Sequence, residues 1–123
     1  MEISSEVLAS CAVVRPVGTL DRRTAPQLEA MLQDLAGKGH GRIVLDLSGV
    51  SEMSSAGLRV IISAAKLLRN ERTGGDLRLV APGERVIQVL ELAGLQSVLR
   101  VYSHSEPAIA SFDQPTAPTK KRS

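Results

Sequence analysis

An unbroken run of apolar residues near the middle of the chain constrains the fold more than any other feature. Ile43, Val44 and Leu45 follow one another without a polar residue, within the segment 42–48. A strand that is apolar on both faces is typical of a parallel sheet covered by helices. An amphipathic helix is predicted directly after it, over about residues 55–71, because apolar residues recur there at helical spacing. A strand followed by such a helix predicts an α/β fold.

The same alternation of strand and helix patterns extends along the chain. Residues 3–10 and 11–18 predict a hairpin of two strands. A helix follows, with Thr24 and Gln27 in a capping-box pattern, Pro26 in its first turn and Gly37 near its end. Further elements are predicted as a strand at 76–81, a helix with Val86, Val89, Leu90 and Leu92 on its apolar face, a strand at 98–102 and a helix at 105–112. We therefore expect a sandwich with a mixed sheet of four to five strands and about four helices, joined by right-handed crossovers.

The composition of the 123 residues limits the possible partners. Tyr102 and Phe112 are the only aromatic residues, so aromatic platforms for single-stranded nucleic acid are excluded. Of 15 Lys and Arg residues three lie at positions 120–122, and of 13 Asp and Glu residues one is Asp113. Residues 1–112 therefore carry 12 charges of each sign. We expect one neutral domain over residues 1–112, a disordered basic tail over 113–123, and no nucleic-acid partner.

The metal-binding and targeting signals are weak. Cys11 is the only cysteine and lies in an apolar run, so we expect it to pack as a small hydrophobic residue. His40 and His104 are far apart in the sequence, and no metal or cofactor is expected. No window approaches the roughly 20 apolar residues of a membrane span, and the first residues do not resemble a signal peptide. These features predict a cytoplasmic protein without a membrane partner.

Two adjacent hydroxyl groups lie where a strand is predicted to end and a helix to begin. Ser54 or Ser55 can cap that helix by accepting a hydrogen bond from a free backbone N–H, which is worth about 1 kcal/mol. The same end of a helix is also a natural anion site, because its free N–H groups and dipole favour negative charge. The two interpretations are compatible, since a capping hydroxyl can also accept a phosphate. Asp46, which ends the preceding strand, is expected to bond loop N–H groups.

Two separated motifs resemble those of bacterial STAS domains, specifically the anti-sigma factor antagonists. The first motif is LDLSGV at residues 45–50 followed by MSSAGL at residues 53–58. The second is GTLD at residues 18–21 followed by TAP at residues 24–26. The resemblance covers residues 3–112 and implies the STAS fold. The usual loop of the family reads Asp-Ser-Ser-Gly or Asp-Ser-Thr-Gly, whereas here Ser54 stands at the Asp position and Ala56 at the second hydroxyl position.

The resemblance implies a phosphorylation-controlled partner switch without catalytic activity. The unmodified protein would bind an anti-sigma factor that is itself a Ser/Thr kinase of the histidine-kinase-like ATPase fold, and so release a sigma factor. The kinase would phosphorylate Ser55, with Ser54 as a rival acceptor, and a PP2C-type phosphatase would reverse the change. The residues expected to bind the partner are Asp21, Met53, Ser54, Ala56, Gly57, Leu58, Arg59 and Ser63.

Three alternatives differ from this hypothesis in function. An enzyme is disfavoured because no G-x-S-x-G or P-loop motif is present and neither histidine is near Ser54 or Ser55 in the sequence. A STAS module that serves as an accessory subunit of a lipid or ion transporter would share the fold without needing a phosphorylated serine. A partner switch could also control a target other than a sigma factor. The sequence leaves the kinase, the phosphatase and the regulated process open.

Overall fold

The computed structural model describes residues 1–113, which form six strands and four α-helices. The α/β prediction is confirmed, with one strand more than expected. The predicted tail at 114–123 lies outside the described residues. In chain order the elements are β1 (Glu2–Val7), β2 (Ala12–Leu20), α1 (Ala25–Gly37), β3 (Arg42–Asp46), β4 (Val50–Met53), α2 (Ser55–Leu68), β5 (Asp76–Val80), α3 (Glu84–Leu92), β6 (Arg100–Tyr102) and α4 (Ser105–Asp113).

The strands form one mixed sheet in the order β1-β2-β3-β5-β6. β1 pairs antiparallel with β2 as the predicted hairpin, and every other pairing is parallel. β2 is nine residues long and has two successive neighbours on one side. Its residues 12–14 pair with β3, whereas its residues 18–20 pair with β4. β4 is the strand that the sequence did not predict, and it leads directly into α2.

The apolar run at residues 43–45 forms a central strand with both faces buried. Ile43 and Leu45 of β3 pack into the main core with α1, α2 and α3, while Val44 points to the opposite face. That second face is covered by α4, through Ala108 and Phe112. The sequence pattern had not determined what would cover this face. The fold therefore has helices on both sides of the sheet, as a fully buried strand requires.

A buried ion pair lies beneath α4. Arg78 of β5 is only 8% exposed and its guanidinium lies 3.9 Å from the centre of the Phe112 ring. Its Nε is 3.5 Å from a carboxylate oxygen of Asp76, and it also hydrogen-bonds the hydroxyl of Ser111. Burial lowers the pKa of Arg78 from its ordinary value. Arg78 thus joins β5 to α4, at a position where the strand pattern predicted only a short strand.

One helix boundary and one residue of a helix face differ from the predictions. α2 ends at Leu68, not near residue 71, because Arg69 adopts an extended conformation and donates to Asp76 Oδ1 at 3.1 Å and to the Val98 carbonyl at 2.9 Å. α3 ends at Leu92 as expected, yet the side chain of Leu92 is 91% exposed. The prediction that Leu92 belongs to the apolar face of α3 is therefore wrong.

Candidate functional site

The start of α2 is attached firmly to the sheet. Ser54 has an extended backbone, and its hydroxyl accepts a hydrogen bond from the Ala56 N–H at 3.2 Å, so Ser54 is the N-cap. The Ser54 N–H donates to the Leu20 carbonyl at the end of β2, at 2.9 Å. Of the two serines that the sequence left open as caps, the structure selects Ser54. These two hydrogen bonds fix the backbone conformation immediately before Ser55.

Ser55 is the first residue of α2, and its side chain is exposed. Within residues 1–113 its hydroxyl makes no hydrogen bond. It lies at the amino end of α2, where the helix dipole favours an anionic group. The hydroxyl is therefore accessible to an enzyme that would modify it.

The residues after Ser55 hold the helix close to the core. A Cβ atom on Gly57 would lie 2.6 Å from Leu20 Cγ and 2.9 Å from Met53 Cγ, so only glycine fits here without displacement. Met53 and Gly57 are buried, and Ala56 and Leu58 are partly buried against the main core. Of the residues expected to bind a partner, Met53 and Gly57 are thus buried in the folded domain.

The loop before α1 is locked by a reciprocal pair of hydrogen bonds. Asp21 Oδ1 accepts from the N–H groups of Arg23 at 2.9 Å and Thr24 at 3.2 Å, and Thr24 Oγ1 accepts from the Asp21 N–H at 2.9 Å. The hydroxyl of Thr24 donates in turn to the Thr19 carbonyl at 2.7 Å. The capping box predicted for Thr24 and Gln27 is therefore wrong. A reciprocal pair of the same kind lies three residues earlier, between Asp21 and Thr24, in the turn that precedes α1.

The same hydrogen bonds control the charge of Asp21. The N–H of Arg23 holds the pKa of the Asp21 carboxyl below its ordinary value of 3.8, with smaller contributions from Thr24 and from the positive charge of Arg23. Because N–H donors favour the ionised form, Asp21 is a carboxylate at neutral pH. The other predicted structural carboxylate, Asp46, accepts from the Ser48 N–H at 3.0 Å, which confirms its role in the loop.

The two loops meet in a shallow depression. Its walls are formed by Asp21, Arg22, Arg23, Ser54, Ser55, Ala56 and Arg59. The structure thus places Asp21 and Ser55 in the same depression. Arg59 is exposed at the rim, whereas Ser63 lies farther along α2, in a groove between α1 and α2. Arg22 and Arg23 were not predicted, because nothing in the local sequence shows that they face a serine more than 30 residues away.

A second depression lies at the amino ends of β2 and β3, away from α2. It is lined by residues of the β1–β2 turn together with His40, Arg42 and Thr73. None of the predicted site residues lies in it. The depression beside Ser55 instead contains five of the nine predicted site residues: Asp21, Ser54, Ser55, Ala56 and Arg59.

Comparison with known proteins gives the family relationship of this chain. The family model of the STAS domain matches residues 2–108. The chain is 35% identical over 112 residues to BtrV of Bordetella bronchiseptica, a candidate anti-sigma factor antagonist, covering 91% of this chain and 95% of BtrV. It is 31% identical over 96 residues to an anti-sigma-B factor antagonist of Bacillus subtilis, covering 78% of this chain and 85% of that protein.

Solved structures share the fold. The anti-sigma factor antagonist SpoIIAA in its unphosphorylated form has a TM-score of 0.77 at 23% identity, over 91% of this chain and 96% of that chain. The phosphorylated form of the Bacillus protein has a TM-score of 0.69 at 22% identity, over 89% of this chain and 98% of that chain. In the described part of the chain, no helix has the length and apolar character needed to cross a bilayer. The match over residues 2–108 and the relatives that cover most of the chain lead to one conclusion: this protein belongs to the STAS domain family, among homologues named as anti-sigma factor antagonists.

Proposed function

We propose that this protein is a cytoplasmic anti-sigma factor antagonist that works as a partner switch controlled by phosphorylation of Ser55. Its unmodified form binds an anti-sigma factor that is also a Ser/Thr kinase of the histidine-kinase-like ATPase fold, and a sigma factor is released. Phosphorylation separates the two proteins, and a PP2C-type phosphatase restores the first state. The observation that carries the proposal is the exposed, unbonded hydroxyl of Ser55 on the first turn of α2.

Ser55 is a better acceptor than Ser54 on structural grounds. The hydroxyl of Ser54 is engaged as the helix cap, and losing such a cap costs about 1 kcal/mol. The hydroxyl of Ser55 has no partner to lose within residues 1–113. A protein solved in both unphosphorylated and phosphorylated forms, SpoIIAA, has the same fold.

The chemistry belongs to the kinase, and this chain supplies the nucleophile. The Ser55 oxygen attacks the γ-phosphorus of ATP, the bond to the bridging oxygen breaks, and ADP leaves with the electron pair. The hydroxyl proton passes to a base of the kinase. In this proposal the STAS domain, taken as residues 1–112, presents the serine on a rigid helix start and catalyses nothing itself.

The added group should change binding without unfolding the domain. A phosphoserine adds nearly two negative charges at the positive end of α2, where they stabilise the helix by about 0.3–1 kcal/mol. A partner packed over Ser55 would instead have to accommodate a desolvated phosphate. A buried charge without a partner at an interface costs about 2–5 kcal/mol, which weakens affinity about 30- to 5,000-fold.

The test begins with kinases of the histidine-kinase-like ATPase fold from the same genome. Each is incubated with this protein and ATP, and the phosphorylated position is mapped by mass spectrometry. We expect phosphate on Ser55 in the wild type and in Ser54→Ala, and none in Ser55→Ala.

Binding is then measured with the kinase that modifies the protein. Ser55→Asp should bind at least 30-fold more weakly while its melting temperature stays within a few degrees of the wild type. Ser103→Asp, which places the same charge on another exposed serine outside this depression, is the matched control. Wild-type affinity of Ser55→Asp for that kinase would refute the proposed switch.

A further inference from the structure

Three arginines line the depression that contains Ser55. Arg22 and Arg23 follow Asp21 in the loop before α1, and Arg59 lies one helical turn after Ser55 on α2. All three side chains are exposed and line the depression that contains Ser55. Within residues 1–113 none of them forms a salt bridge or a side-chain hydrogen bond. We call Arg22, Arg23 and Arg59 the arginine cluster.

Most other arginines of the described chain are engaged. Five of them contact an acidic side chain or a carbonyl oxygen: Arg15 with Glu6, Arg42 with the Thr73 carbonyl, Arg69 and Arg78 with Asp76, and Arg85 with Glu52. Arg72 and Arg100 resemble the arginine cluster in having no such contact among residues 1–113. Three of the five unengaged arginines therefore lie around one serine.

The acidic groups nearby do not neutralise the arginine cluster. Asp21 is the one carboxylate in the depression; its charge interacts with that of Arg23, but it offsets only one of the three positive charges. Glu52 of β4 is paired with Arg85 of α3 at 3.2 Å. Three arginines and one aspartate give the depression a formal charge of +2. The depression is thus a positively charged surface with an exposed hydroxyl in its wall.

We infer that the arginine cluster is an internal receptor for the phosphoryl group of phosphorylated Ser55. This inference rests on the proposed function, because it concerns the state that the kinase would produce. A guanidinium presents N–H groups in a planar fork that matches two phosphate oxygens, and such charge-assisted pairs are about twice as strong as neutral hydrogen bonds. Long, exposed arginine side chains can turn toward the phosphate without a change in the backbone.

The receptor changes how the switch works. A phosphate of nearly two negative charges brings the formal charge of the depression from +2 to about zero. The arginine cluster, which could contact an acidic surface of a partner in the unmodified protein, would then bind the phosphate of the same domain. Phosphorylation then removes the attraction of the surface as well as adding a bulky group.

The inference is tested on the full chain without any kinase or partner. Phosphoserine is incorporated at position 55 during translation, and the second ionisation of its phosphate is followed by 31P NMR as a function of pH. The ordinary pKa of this ionisation is about 6, and nearby positive charge lowers it. We expect the phosphate of the otherwise wild-type protein to have a pKa about half a unit to one unit lower than in the triple variant Arg22→Gln/Arg23→Gln/Arg59→Gln. The pKa in Arg59→Gln alone should lie between these two values. The difference between the wild type and the triple variant should become smaller as salt is added.

Arg72→Gln is the matched control. It also removes one unengaged arginine, but it lies beyond the far end of α2, whose 14 residues span about 20 Å. Its phosphate should titrate as in the wild type. Equal pKa values in the wild type and the triple variant, or as large a change from Arg72→Gln as from Arg59→Gln, would overturn the inference. Either result would leave the proposed switch standing, because that is tested by kinase modification and partner binding.

Discussion

The close contact at Gly57 makes the strongest prediction about how this domain holds its site. The substitution Gly57→Ala adds one Cβ atom on the third residue of α2. That atom would lie 2.6 Å from Leu20 Cγ, 2.9 Å from Leu20 Cδ2 and 2.9 Å from Met53 Cγ. Ordinary contacts between carbon atoms are about 3.5–4.0 Å, so the helix start must move by about 1 Å or Leu20 must leave its place.

The expected cost follows from two opposing effects. Forcing an extra carbon into a packed core costs about 1–3 kcal/mol. Replacing glycine by alanine in a helix recovers about 0.5–1 kcal/mol of backbone entropy. The added Cβ would be too close to both Leu20 and Met53. We therefore expect the free energy of unfolding to fall by about 1–2 kcal/mol, which lowers the melting temperature by about 4–8 °C for a domain of this size.

Thermal and urea unfolding of Gly57→Ala and the wild type measure this loss. Gly37→Ala is the matched control, because a Cβ at Gly37, the last residue of α1, has nothing within 4 Å. The control should be neutral or up to about 1 kcal/mol more stable. A Gly57→Ala protein that is as stable as the wild type would refute the reasoning that this glycine sets the distance between α2 and β2.

Two further predictions concern charged groups. Because the pKa of Asp21 is lowered in the folded state, its carboxylate adds stability at pH values above 3.8, and this contribution disappears as the pH falls through the lowered value. Asp21→Asn should therefore be less stable than the wild type at neutral pH and equal to it in strong acid; a constant difference in urea unfolding at both pH values would contradict this. Asp76→Asn leaves the Arg78 guanidinium buried without its counter-charge, and we expect a loss of about 3 kcal/mol in urea unfolding. The exposed ion pair of Glu52 with Arg85 gives the control: Glu52→Gln should lower the free energy of unfolding by less than about 1 kcal/mol. An equal loss of stability in Asp76→Asn and Glu52→Gln would show that burial of Arg78 is not the cause.

Sequence periodicity predicted those parts of the fold in which the apolar pattern of a single strand or helix determines which of its side chains are buried. The run at 43–45 became a central strand, and the helix after Ser54 begins where the serines and small residues indicated. The family motif led to Ser55, and the structure places its hydroxyl at the surface. In each case the deciding information lies within a few consecutive residues.

The features that were not predicted depend on contacts between distant residues. β4 has a burial pattern of two buried ends and two exposed central residues, and it is a strand because β2 is long enough to pair with it after β3. α2 ends early because Arg69 reaches Asp76 and the Val98 carbonyl. Arg22 and Arg23 join Arg59 only after the chain has folded. Local sequence patterns do not indicate which distant residues will come into contact.

The divided pairing of β2 also determines how the site can open. Only residues 47–49 separate β3 from β4, so β4 lies against the second half of β2 once β3 occupies the first half. The Ser54 N–H is bonded to that second half at the Leu20 carbonyl. In native-state hydrogen exchange this amide should exchange together with those of β3, through global unfolding and not through local fraying. Fluctuations of the proposed phosphorylation site and of the core would then be a single cooperative event.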